Sequence, residues 1–263
     1  MKIRAALTEA DIPHPILVDL DLAGPGPGEV LVRVVATGVC HTDLKSASAG
    51  SPVPRPVVLG HEGSGVVEKV GAGVAKVAPG DHVVMSFASC GHCRACLEGD
   101  PAYCHSQWPI NFGCVRADGS TPLSAGGRQV HGDFFGQSSF ATYAIAGERN
   151  VVKVRADAPL ELLGPLGCGL QTGAGAVLND FAIKAGKSLV VLGVGSVGLS
   201  AVMAARLAGA GRIIAVDRHP HRLELARELG ADHVVRAGSE PVTGEIMRLT
   251  EEGEGVDFAL DTK

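Results

Sequence analysis

Four of the seven cysteines stand close together as Cys90, Cys93, Cys96 and Cys104, in the spacing C-x2-C-x2-C-x7-C. Thiolates so spaced can converge on one tetrahedral zinc ion, because Gly91, Gly99 and Pro101 let the chain curl around it. A site closed by four thiolates leaves no position for a substrate, so its role would be structural. Two other readings compete. The four could be unrelated core thiols, or they could hold an iron–sulfur cluster, which also uses short C-x2-C-x2-C runs, although the Cys-Pro continuation is missing here. The odd cysteine count, with no apolar signal segment after Met1-Lys2-Ile3-Arg4, argues against a disulfide framework.

Cys40, Cys168 and His61 form a second set. Cys40 opens Cys40-His41-Thr42-Asp43, His61 lies in Gly60-His61-Glu62-Gly63, and Cys168 sits between Gly167 and Gly169. Two thiolates and an imidazole from separate loops are a three-ligand set of the kind that leaves a catalytic zinc with an open fourth position. Spacing alone does not separate this from a Cys or His packed in a core. Cys114, in Phe112-Gly113-Cys114-Val115, reads as a core thiol.

The third constellation is Gly193-Val194-Gly195-Ser196-Val197-Gly198. A lone G-x-G-x-x-G is weak in a chain with 36 glycines, but here it follows an apolar strand and opens a helix, the context a dinucleotide turn requires. Its glycines permit a tight turn and let a pyrophosphate approach the free N–H groups of the helix N-terminus. Asp217 stands 19 residues beyond Gly198 at the end of the next strand, where a carboxylate accepts hydrogen bonds from an adenosine ribose and repels a 2′-phosphate. That favours NAD over NADP; Arg218 beside it weakens the preference. The competing reading of Asp217 is an ordinary turn residue.

The elements that must position these residues change character along the chain. The first half reads as short β-segments at 3–7, 30–36, 65–70 and 81–85, broken by Gly and Pro, with little helical period, which predicts an antiparallel barrel or sandwich. Residues 104–138, which include the sole Trp, read as a long irregular stretch. From about Cys168 the pattern predicts helices over 171–179, 196–208, 220–229 and 241–250. Between them lie apolar strands at 188–192, 212–216, 232–235 and 256–260. Apolar strands alternating with helices predict a parallel sheet covered on both faces.

The chain has 263 residues, a net charge of −5 and 46% hydrophobic against 19% charged residues, enough apolar content to bury a core and exclude wholesale disorder. Mild acidity argues against a nucleic-acid partner. No run reaches the ~18 apolar residues of a membrane span. The reading is a cytoplasmic protein.

Together these motifs resemble the zinc-containing medium-chain alcohol dehydrogenases across essentially the whole chain. The stretch Gly60-His61-Glu62-x-x-Gly65-x5-Gly71-x-x-Val74 is similar to the family's zinc signature, and the Cys90–Cys104 lobe, the Gly-Cys-Gly at 167–169 and the glycine turn follow in the family's order. Within the family, 131–143 and 169–175 look most like the aryl- (benzyl-) alcohol dehydrogenases. The resemblance implies a GroES-like, β-rich catalytic domain over 1–169. An α/β Rossmann domain with a doubly wound parallel sheet follows over 170–263, C-terminally incomplete because the chain stops after the fourth recognisable strand.

The resemblance also implies roles. Cys40, His61 and Cys168 match the catalytic zinc ligands, and Cys90, Cys93, Cys96 and Cys104 the structural ones, two Zn2+ per chain. Thr42 matches the hydroxyl that takes the alcohol proton, Asp43 the carboxylate that orients the ligand imidazole, and Glu62 a carboxylate able to approach the metal. His41 corresponds to a pyrophosphate contact and Thr172 to a residue near the nicotinamide. The implied reaction moves hydride from a primary aromatic or allylic alcohol to NAD, giving the aldehyde, with a homo-oligomer expected for the full-length form. Alternatives are an aliphatic or glutathione-adduct alcohol dehydrogenase, or a truncated zinc- and nucleotide-binding module without turnover. One departure is Lys45, where many relatives place a relay His. The other is the end of the chain, from which little or no turnover by the 263-residue form is expected.

Overall fold

The computed structural model describes residues 1–10, 12, 14–238, 241–250 and 253–262. The chain divides into two compact units, Met1–Cys168 and Gly169–Lys263. The first holds β1 (Lys2–Thr8), β2 (Ile16–Leu22), β3 (Glu29–Thr37), β4 (Val57–Val58), β5 (Gly63–Val70), β6 (His82–Met85), β7 (Leu123–Ala125), β8 (Arg128–Val130), β9 (Tyr143–Gly147) and β10 (Val151–Lys153). They pair antiparallel into two sheets, β4-β1-β2-β7-β8 and β10-β6-β5-β3-β9. His131, just beyond β8, bridges back to Val57 in β4, so the first sheet curls until its edges meet, and an Ala5–Ala141 bridge links it to the second. Side chains alternate across the pleat as period-2 strands require: Ile3, Ala5 and Leu7 enter one apolar cluster with Leu20 and Leu22. Val30 and Val32 enter another with Val83 and Met85.

Between the strands lie α1 (His41–Ala47), α2 (Arg94–Glu98), α3 (Gln107–Phe112) and α4 (Leu160–Leu163). Three expectations need correction. Residues 104–138 are not one irregular stretch: they contain α3 and the hairpin β7–β8, whose Gly126-Gly127 turn has φ of 55° and 85°. Two consecutive positive φ values are what a two-residue hairpin turn demands, so the Gly-Gly pair was the overlooked signal. Helix α1 was also unforeseen, because its seven residues are too few to show an apolar period. The helix expected over 171–179 is α5 (Gly169–Gly175), which passes into a π-helical turn at Ala176–Asp180.

In the second unit, β11 (Ser188–Leu192), β12 (Arg212–Asp217), β13 (His233–Arg236) and β14 (Phe258–Asp261) form a parallel sheet in the order β13-β12-β11-β14. The intervening helices are α6 (Ser196–Leu207), α7 (Pro220–Glu228) and α8 (Val242–Arg248). Both faces are covered: Leu189, Val191, Ile213 and Ala215 join one core, and Val190, Ile214 and Val216 the other. Fully buried strands of this kind read as continuous apolar runs, which is why they were legible. No helix among the described residues is long and apolar enough to cross a membrane.

Asp133 is an electrostatic liability in the first unit. Its backbone is left-handed, φ 65°. Burial pushes its carboxyl up to about 7, nearby Glu29 adds to this, and Arg116 only partly opposes it because it already binds Glu29 at 2.6 and 2.8 Å. A carboxyl whose pKa is raised on folding makes the folded state hold more protons than the unfolded chain, so stability falls as pH rises from about 4 to about 7. Asp133→Asn, tolerant of the same backbone, should remove this slope. Thermal unfolding should show the variant more stable than the parent at pH 8, by at most about 4 kcal/mol, and nearly equal to it at pH 4. Equal gains at both pH values would contradict the assignment.

Candidate functional site

Helix α1 begins directly after Cys40, and its buried Asp43 reaches back to accept the Cys40 N–H at 2.9 Å, a cap of the helix's first turn. The other Asp43 oxygen accepts the Gly60 N–H at 3.1 Å and lies 3.0 Å from His61 Nδ1. One carboxylate therefore ties Cys40 to His61. The contact fixes which imidazole nitrogen faces inward: His61 Nε2 is buried and has no hydrogen-bond partner. A buried polar atom without a partner is costly, and a lone pair aimed at a metal is one remedy.

Around that nitrogen the ligating atoms of Cys40, His61, Glu62 and Cys168 all lie within 4.8 Å of one another. The Cys40 and Cys168 sulfurs are 3.9 Å apart. A zinc–sulfur bond of ~2.3 Å places two tetrahedral thiolates roughly 3.8 Å apart, so the pair suits a single ion. The Cys168 thiol donates to Cys40, and this with the neighbouring His61 holds the Cys40 thiol down at about 3. The same sharing, with burial and the nearby Glu62, pushes Cys168 up. Burial works against the charged His61 ring, but the Asp43 hydrogen bond, with the charge of nearby Cys40, outweighs it and raises the imidazole to about 9. The missing Cβ of Gly38 leaves the space that the Glu62 carboxylate occupies beside this cluster. Thr42 is half-buried and His41 exposed, both on α1.

The other thiol set also converges. Cys90, Cys93, Cys96 and Cys104 keep their sulfurs within 4.8 Å, with Cys90 and Cys96 at 3.9 Å. The Cys104 and Cys90 sulfurs accept backbone N–H groups of Cys90 and Cys93 at 3.3 Å. All four sulfurs lying this close fit one ion; in a cluster the four cysteines divide among two or more irons and cannot all converge on one point. The turns come from Gly91 (φ 78°) and from Gly99 (φ 96°), which ends α2. Cys114 is fully buried in a separate apolar cluster, and burial pushes its thiol up to about 12.

An aromatic ladder leads away from His61. Phe135 stacks on the imidazole at 4.5 Å, Phe134 meets it edge-on at 5.7 Å, Phe112 meets Phe135 at 5.0 Å, and Trp108 stacks on Phe112 at 4.3 Å. Phe135 adopts φ 52°, strained for a bulky residue, and the surrounding packing must hold it there. Residue reading did not single out these rings or Gln137. The signal was present in the Asp133–Gln137 string, an aromatic pair set among turn formers.

In the second unit, Gly193 (φ 88°) turns the chain between β11 and α6, and a Cβ on Gly198 would strike the Gly193 carbonyl. A Cβ on Gly195 would meet nothing within 4 Å, and no side chain caps the twelve-residue α6. The first-turn amides are therefore left open toward that space, the requirement for a pyrophosphate cradle. Asp217 accepts the Val194 N–H at 3.0 Å and the His219 N–H at 2.9 Å, and Arg222 lies 3.8 Å away. Burial opposes its charge, but the two amides hold it below the usual carboxylate range. Thr262 donates its hydroxyl to the Gly193 carbonyl at 2.7 Å. Arg218 follows Asp217 at the end of β12, and Thr172 lies on α5.

Comparison with known proteins accords with this geometry. Residues 26–156 match the alcohol dehydrogenase GroES-like domain, and residues 196–263 the zinc-binding dehydrogenase domain. The chain is 49% identical over 251 residues to a geraniol dehydrogenase of Castellaniella defragrans, covering 94% of this chain and 66% of that protein. It superimposes on benzyl alcohol dehydrogenase from Acinetobacter calcoaceticus with a TM-score of 0.94 at 47% identity, covering all of this chain and 71% of the other. An alcohol dehydrogenase zinc-binding domain protein from Burkholderia ambifaria gives a TM-score of 0.96 at 52% identity, again over all of this chain and 71% of the other. The chain thus spans about two thirds of the length of these relatives. With curled antiparallel sheets, a parallel sheet behind a glycine turn, and both domain types matched in order, the chain belongs to the zinc-binding medium-chain alcohol dehydrogenase family.

Proposed function

We propose that this protein oxidises primary alcohols bearing a flat unsaturated group, aromatic or allylic, to aldehydes, using zinc and NAD. The observation that carries the reading is the unpartnered, buried His61 Nε2 among Cys40, Cys168 and Glu62, beside a wall of aromatic rings. Zinc held by Cys40, His61 and Cys168 supplies Lewis acidity toward a hydroxyl oxygen, and NAD supplies the hydride acceptor. The residues do the rest. Asp43 keeps the imidazole turned inward. Thr42 takes the alcohol proton and passes it outward, with Lys45 rather than a histidine beyond it. Glu62 would offer a further carboxylate to a metal held there. Phe134 and Phe135 exclude water from the ligand ring. In the second unit the turn at Gly193, Gly195 and Gly198 binds the pyrophosphate and Asp217 with Arg218 meets the adenosine ribose; the family resemblance adds His41 and Thr172 to the cofactor contacts. Relatives named for geraniol and benzyl alcohol support the substrate class.

Two zinc ions per chain are expected, the second on Cys90, Cys93, Cys96 and Cys104. Cys93→Ser should lower the melting temperature and release one zinc, because a structural ion contributes folding free energy. Cys40→Ser should abolish turnover with less thermal damage. Metal analysis returning one zinc, or iron with sulfide, would overturn the two-zinc assignment.

Asp217→Ser should lower kcat/KM for NAD about tenfold or more, since it removes a charged acceptor for the ribose and also frees the Val194 amide of the turn. The NAD-to-NADP ratio should narrow. Equal use of NADP by the parent enzyme would show that Asp217 does not discriminate.

In the catalytically competent protein, benzyl or cinnamyl alcohol should exceed ethanol in kcat/KM, because a ring gains ~25 cal/mol per Å2 on burial. Phe135→Ala should narrow that gap about 2- to 13-fold, the ring–ring contribution being ~0.5–1.5 kcal/mol. Ethanol matching benzyl alcohol in the parent would refute the substrate class.

A further inference from the structure

We propose that Gln137 is a positioning residue for the metal centre: its buried amide sets the separation between the turn carrying His61 and Glu62 and the loop carrying Cys168. The inference rests on the reading of Cys40, His61 and Cys168 as a metal site. Gln137 is 1% exposed and directly follows the strained Phe134–Gly136 turn. Its Oε1 accepts the Gly63 N–H at 3.1 Å, while Nε2 donates to the His61 carbonyl at 2.9 Å and to the Ser86 carbonyl at 3.1 Å. Both amide protons are used. The amide therefore brackets His61 and Glu62 from either side and anchors them to the end of β6.

From Ser86 the connection continues to the other ligand loop. The Ser86 hydroxyl donates to the Gly167 carbonyl at 3.1 Å, one residue before Cys168. Gly167 packs so close that a Cβ would strike the Met85 carbonyl. Asp43 joins Cys40 to His61, but nothing in that contact reaches Cys168. The route through Gln137 and Ser86 does, across chain separations of 74 and 81 residues. A glutamine suits this place because only a neutral amide both accepts from one peptide and donates to two carbonyls; a carboxylate would face the His61 and Ser86 oxygens without protons. Leaving those groups buried and unpaired would let the two loops drift, and groups that orient metal ligands typically govern 10- to 100-fold in metal affinity.

The test compares the parent with Gln137→Met, similar in volume but without hydrogen bonds, and with Ser138→Ala. The latter removes two hydrogen bonds of the same turn, to Phe134 and Val58, without touching either ligand loop. Each protein is loaded with Co2+, its visible spectrum recorded, and its Co2+ and Zn2+ affinities measured by chelator competition. The four-thiolate lobe serves as internal reference. Gln137→Met should weaken the mixed sulfur–nitrogen site about 10- to 100-fold and alter its cobalt spectrum, leaving the four-thiolate site unchanged. Ser138→Ala should leave both sites as in the parent. A folded Gln137→Met with parental affinity and spectrum at the mixed site would overturn the proposal. If Gln137→Met does not fold, Ser86→Ala carries the test: several-fold weaker binding is expected, and unchanged binding overturns it. A parent that takes up no metal at the mixed site would sink the metal-site reading itself, a result distinct from any behaviour of the variants.

Discussion

The carboxylate of Asp43 is the contact on which the site depends. A buried carboxylate is tolerable only when its charge is compensated and its lone pairs are satisfied. Here the partners come from three places: the Cys40 amide, the Gly60 amide and the His61 ring. Each of these donors belongs to a segment carrying or flanking a prospective ligand. Satisfying one buried anion thus draws the end of β3, the start of α1 and the turn before β5 into a single arrangement. The imidazole has no freedom to flip without unpairing Asp43, so the direction of Nε2 follows from the same contact.

Around this hub, side-chain amides and missing Cβ atoms do what a continuous sheet cannot. The irregular segments before β5, after β6 and between β8 and β9 would leave peptide groups unpaired in a buried region. Gln137, Asn111 and Asn150 supply the absent partners: Asn111 binds both polar groups of Ala88, and Asn150 donates to the Gly136 carbonyl. The left-handed residues Asp133, Phe135 and Ser138 are held against their preference by this mesh. The outcome is a His61 ring stacked on Phe135 and met edge-on by Phe134, an apolar setting in which the charge of a bound metal would be felt strongly.

The second unit follows a different logic, in which strand order does the positioning. With β12 on one side of β11 and β14 on the other, connections leave β11 in opposite directions, and the turn at its carboxyl end lies at the resulting crevice. Asp217 from β12 and Thr262 after β14 grip that turn from both sides. Asp217 therefore has a structural duty beside any contact with a ribose, which residue reading alone did not foresee.

Much was legible before any coordinates. The parallel sheet could be read because buried strands are continuous apolar runs, and the four-cysteine set because thiols at such short spacing are scarce. Cys40, His61 and Cys168 were named as a set through the family resemblance, spacing alone being unable to separate them from core residues. Gly193 and Gly198 were legible because their places demand glycine, a left-handed backbone at the one and a carbonyl packed against the other. What tertiary structure alone decided was convergence over long chain separations: Cys40 beside Cys168, Gln137 against His61 and Gly63, Phe135 stacked on an imidazole 74 residues away. Spacing along a chain carries no information about which loops a curled sheet brings together. Nor does it reveal the left-handed backbone that turns Phe135 inward, since packing imposes that conformation against the residue's own preference.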